Sequence, residues 1–148
     1  MAGTPPPTSA LTDSHEELLR QVHPSFLRDG RPSSQAFRPT KKDEGMLSVA
    51  RGSLTTAEAA FRHHREKLKC ASAGTWGITV GECDDQDLKA YSDPIVSPPE
   101  ATDLAHAFVD FHGMSNSQVE ARGIKLARAA HERGALYRPS ASGGPANE

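Results

Sequence analysis

The chain has 148 residues, of which 17 are basic and 19 acidic, so its formal charge of -2 supplies no whole-molecule field to hold nucleic acid or an anionic membrane. Its length is that of one domain able to bury a core without covalent or metal staples. No apolar run approaches the ~20 residues of a membrane span, and the start, MAGTPPPTSA, lacks the layout of a secretory signal, which makes the cytoplasm the expected compartment.

Residues 1–10 and 139–148 are rich in Pro, Gly, Ser and Ala and are expected to be flexible tails around a single domain over 11–138. Asp13 followed by Glu16 reads as an N-cap with an acidic N3 residue, and Leu18, Leu19 and Val22 give the stripe of a short helix over 14–22, stopped by Pro24. RDGRPS, from Arg28 to Ser33, carries turn residues, with Gly30 free to take positive φ. Two short strands follow, over 34–38 and 46–50, with a hairpin as one way to pair them. In the second, Leu47 and Val49 form an apolar face and Ser48 sits on the opposite one.

Thr55 with Glu58 predicts a capped helix over 56–69, its stripe running through Ala57, Ala60, Phe61, His64 and Leu68. A strand follows, with Trp76, Ile78 and Val80 on a bulky face and Gly77, Thr79 and Gly81 on a thin one, which something must approach closely; a packed helix is the plain candidate. Residues 84–103 mix acids and prolines and read as a loop with one helical turn near Asp87 to Tyr91. LAHAFVDF then forms a strand with Ala105, Ala107, Val109 and Phe111 on one face and His106, Phe108, Asp110 and His112 on the other. Ser115 and Gln118 cap a last helix that runs to Arg133 and ends at Gly134, after which Leu136 and Tyr137 add an edge segment. The element order predicts a single compact α+β domain with a mixed or antiparallel sheet of four to five strands packed by two longer helices.

The chemistry-bearing residues gather early. His23, Arg28, Arg31, Ser33, Ser34, Arg38, Lys41 and Lys42 lie within one turn-rich stretch, where guanidinium groups could hold a phosphate or carboxylate beside a hydroxyl and an imidazole. Arg31, Ser33, Ser34 and Arg38 are the candidate ligand-binding residues, and His23, Asp110 and His112 the candidate catalytic ones. Asp110 and His112 are about 7 Å apart along a strand, close enough for the carboxylate to orient the imidazole; His106 is too distant along the same strand for the three to share an ion, so no metal site is assigned. Arg122, Lys125, Arg128 and Arg133 read as the solvated side of the last helix.

The chain contains no P-loop, dinucleotide fingerprint, GxSxG elbow, HExxH or CxxC, and nothing points to a particular cofactor. Cys70 and Cys83 read as thiols. The expectation is a small cytoplasmic binding or accessory domain acting through a protein partner or a small anionic ligand. The rival is a small transferase or hydrolase acting on a phosphate-bearing or nucleotide-like substrate; nucleic-acid binding is disfavoured by the charge and the scarcity of aromatics.

Overall fold

The computed structural model describes residues 8–40, 45–99 and 102–139; Lys41, Lys42 and most of the two predicted tails lie outside them. Among the described residues there are eight strands: β1 (Ser9–Ala10), β2 (Glu17–Gln21), β3 (Leu27–Arg28), β4 (Arg31–Pro32), β5 (Met46–Arg51), β6 (Thr75–Thr79), β7 (Lys89–Ser92) and β8 (His106–Asp110). Six of them form one antiparallel sheet in the order β1-β7-β8-β5-β2-β6, while β3 and β4 pair only with each other. The turn between β3 and β4 falls on Asp29 and Gly30, both at positive φ, as the turn chemistry of RDGR requires.

The sheet has six strands and not the expected four to five: two stretches read as helix are strands and Ser9–Ala10 of the predicted tail adds β1, while the predicted strand over 34–38 is absent. Residues 17–21 are not part of a helix but form β2, paired to β6 along its whole length and to β5 at Leu18 and Leu19. Adjacent Leu18 and Leu19 are both buried because both faces of this inner strand are covered, which the apolar spacing alone does not distinguish from a helical stripe. Asp13 closes a turn instead of capping, accepting from the His15 N–H, and the Glu16 carboxylate binds Arg51 and Ser53. The predicted helical turn at 87–91 is likewise replaced by β7, which receives β1 on its far side.

The predicted strand over 34–38 is a turn of 3-10 helix, Ser34–Phe37, so the hairpin with 46–50 does not form and β5 pairs with β2 and β8. Ala36 and Phe37 are both fully buried, and consecutive residues cannot both face a one-sided core from a strand. The helix expected over 56–69 begins as α1 (Ala57–Arg62) and widens into a π turn over His63–Lys67. Its cap is Thr56 rather than Thr55, and Glu58 pairs with Arg62. The strand through Trp76 stops at Thr79, where Thr79 and Glu82 form a reciprocal capping box that opens α2 (Val80–Asp84). The last helix, α3 (Asn116–Arg133), carries the expected Ser115 and Gln118 box and ends at Gly134 with φ +88°.

One face of the sheet supplies Leu18, Leu47, Trp76, Ile78 and Val109 to the main core, which α3 closes with Leu126 and Ala130 and the 3-10 turn with Ala36 and Phe37. The thin face of β6 is filled by Leu136: a Cβ on Gly77 would lie 2.6 Å from its Cδ1, so the close neighbour is an extended segment and not a helix. That segment bridges Thr75 to Tyr137. The side of β2, β5 and β8 bearing Leu19, Ala50 and His106 looks toward α1 and the π turn. Among the described residues no helix is long and apolar enough to cross a membrane.

Candidate functional site

The residues singled out from the sequence lie in separate places. His23 is exposed and caps a 3-10 turn, its Nδ1 accepting from the Ser25 N–H at 3.0 Å and its ring resting near Phe26. Arg31 is exposed on β4. Ser33 has a buried hydroxyl with no hydrogen-bond partner, whereas Ser34 and Arg38 pack on α3: a Cβ on Gly123 would meet the Arg38 Cγ at 2.6 Å and the Ser34 carbonyl at 3.0 Å. Asp110 and His112 do come together, with Oδ1 of Asp110 accepting from the His112 N–H at 2.8 Å and lying 3.0 Å from its Nδ1. Among the described residues no hydrogen bond or ion pair links His23 to Arg31, Ser33, Ser34, Arg38, Asp110 or His112.

A different place has the form of a site. Between α1 with its π turn and the facing side of the sheet lies a cleft of about 520 Å³. Its floor is Leu19 and Ala50, its roof is Ala59, Ala60 and Leu68, and its polar residues are Arg20, Gln21, Ser48, Thr55, His63, His64, Asp103 and His106. An apolar enclosure with a few convergent polar side chains is the usual form of a small-molecule site. The π turn brings His63 and His64, consecutive in sequence, into the same lining, and π turns recur at functional positions.

Arg20 is held where β2 and β5 part. Their pairing ends at Leu19 and Ala50, and the Arg20 side chain crosses the opening, donating from Nε to the Ala36 carbonyl at 2.8 Å and from Nη1 to the Ser48 carbonyl at 2.9 Å. Burial and the positive charge of Arg20 push the His64 imidazole below its ordinary value, against the opposing influence of a backbone contact from Ala71. His63 has its Nε2 buried without a hydrogen-bond partner, with Asp103 Oδ2 3.7 Å away.

His106 is the most constrained of the three histidines in the cleft. Its Nδ1 lies 3.1 Å from the Asp93 backbone carbonyl and 3.2 Å from Asp93 Oδ2, and its Nε2 lies 3.3 Å from the Ser48 Oγ. Among the described residues no three His, Cys, Asp or Glu side chains converge as metal ligands.

Sequence reasoning placed Ser48 and His106 on the correct faces of their strands without joining them, because it did not show that β5 and β8 are neighbours in a register that sets Ala50 opposite His106. α-Helical spacing leaves His63 off the stripe of Ala60, Phe61, His64 and Leu68, but the segment is π-helical and both histidines line the cleft. No family model matches this chain, and no curated protein or solved structure matches it significantly.

Proposed function

We propose that the protein is a small-molecule-binding domain whose ligand occupies the cleft between α1 and the sheet. The observation that carries this reading is a mostly apolar cleft of about 520 Å³ onto which His63, His64, His106 and Asp103 converge. The ligand has a compact apolar body and one hydrogen-bonding head. Leu68, exposed at 45%, lines the cleft. Asp103 among the polar groups opposes a multiply charged phosphate, so the favoured head is neutral or singly charged.

The test is titration of the isotopically labelled chain with butyrophenone and related small ketones, followed by amide NMR. Shifts confined to residues around 19–21, 48–50 and 59–64 support the reading, provided they vanish in Ala59→Trp, which fills the cleft from an exposed helical position. Shifts centred instead on Arg31, Ser33 and Arg38 would return the site to the early basic stretch.

A further inference from the structure

We propose that Ser48, His106 and Asp93 form a nucleophilic relay that hydrolyses small carboxylic esters bound in the cleft. The proposal rests on the cleft being a ligand site and adds a reaction to it.

The tautomer of His106 carries the argument. Both atoms facing its Nδ1, the Asp93 carbonyl oxygen at 3.1 Å and the Asp93 Oδ2 at 3.2 Å, can only accept, so Nδ1 bears the proton. In the neutral ring Nε2 is then the lone-pair nitrogen, and it faces the Ser48 Oγ at 3.3 Å. A hydroxyl is thus aimed at a base whose other nitrogen is held by a carboxylate, the arrangement that activates a serine irrespective of fold. The strands fix it. Asp93 follows β7 and its N–H donates to the His106 carbonyl at 2.9 Å, while β5 and β8 set Ala50 opposite His106 and place Ser48 diagonally across. Ser48 and His106 both line the cleft, and Ser48 is exposed to it. The Arg20 guanidinium donates to the Ser48 carbonyl at 2.9 Å and to the Ala36 carbonyl at 2.8 Å, which fixes the backbone of the strand that carries the hydroxyl.

In the first half-reaction Ser48 Oγ bonds to the ester carbonyl carbon as its proton passes to His106 Nε2. The ester C–O bond then breaks, and the alcohol leaves with that proton. In the second half-reaction water attacks the acyl carbon and gives a proton to Nε2; the bond to Ser48 Oγ breaks, Oγ recovers the proton, and a carboxylic acid departs. Esters are favoured over phosphates because Asp93 and Asp103 place carboxylates at and near the reacting groups.

The experiment uses the full chain with a fluorophosphonate probe and with p-nitrophenyl butyrate. Labelling is read by intact mass and located by peptide sequencing, hydrolysis by absorbance, and folding by circular dichroism. Expected are one phosphonyl group on Ser48, none in Ser48→Ala, and a labelling rate at least about 100-fold lower in His106→Gln. Asp93 is a positioning residue. Asp93→Asn can donate to Nδ1 and so favours protonation of Nε2, which imidazole nitrogen NMR reads directly as a change of tautomer alongside the fall in rate. Labelling elsewhere, or labelling of Ser48 that His106→Gln leaves unchanged, overturns the relay. Absence of labelling and turnover while butyrophenone still binds in the cleft overturns the relay and leaves the binding reading standing; loss of both removes both.

Discussion

Arg133, in the last turn of α3, grips Glu82 with two nitrogens, Nη2 donating to Oε2 at 2.7 Å and Nη1 to Oε1 at 3.1 Å, while Nη1 also donates to the Gly77 carbonyl at 2.8 Å. One side chain thereby ties α3, α2 and β6 together. Burial pushes the Glu82 carboxyl up, but the Arg133 and Thr79 hydrogen bonds and the Arg133 charge outweigh it and hold the group below the usual carboxylate range.

A folded-state value below the unfolded one means that Glu82 adds stability above the unfolded carboxylate value, about 4.3, and that this is lost as pH falls through the lower folded value. Glu82→Gln is therefore expected to lower unfolding free energy by about 1 kcal/mol at pH 7, and the difference should shrink at a pH well below the ordinary carboxylate value of about 4.3. Urea melts at both pH values check it.

His64 acts in a different window. Burial, then the charges of Arg20, His63 and Arg65, hold its imidazole below the ordinary value, so the folded state resists a proton that the unfolded chain accepts near pH 6.5. Stability from His64 is present above that pH and declines as the solution is acidified through the folded value. In His64→Asn the slope of stability against pH below about 6.5 should be shallower than in the parent chain.

Gly123 should not tolerate the residue that helices prefer. Alanine gains about 1 kcal/mol of helix propensity over glycine, but its Cβ would meet Arg38 Cγ at 2.6 Å and the Ser34 carbonyl at 3.0 Å. Gly123→Ala is expected to lower Tm by several degrees. Adding Arg38→Ala should return part of the loss, a non-additivity that thermal melts of the double mutant would read.

The two thiols should differ sharply toward iodoacetamide. Burial, aided by the neighbouring Glu82 and Asp84 charges, pushes the Cys83 thiol up to about 12, whereas Cys70 is exposed. Native protein at pH 8 should take one alkyl group, on Cys70, and protein in urea should take two, as seen by intact mass.

The elements that were legible from sequence are those where local signals and tertiary packing agree. Ser115, Gln118 and Gly134 bound α3 correctly because a long amphipathic helix with both ends marked leaves little for the rest of the fold to decide. Leu47 with Val49, and Ala107 with Val109, alternated as strands and are strands. At Leu18 and Leu19 the pattern was ambiguous, and long-range pairing to β5 and β6 settled it. The Thr79 and Glu82 box was present in the sequence but masked by the apolar run that precedes it. The cleft was not legible, because it depends on which strands are neighbours: Ser48, Asp93 and His106 are up to 58 residues apart and meet only through the β5-β8-β7 order.

The segment that follows α3 has an effect on how this molecule meets its own copies. On the outer side of β6, the Thr75 N–H and carbonyl are taken by Tyr137 and Leu136, the Gly77 carbonyl by Arg133, and the Thr79 N–H by the Glu82 side chain. At the opposite margin the last strand, β1, is two residues long. Among the described residues an incoming chain finds little ladder to extend on either side, which guards the sheet against strand addition and the fibrous aggregation that follows from it.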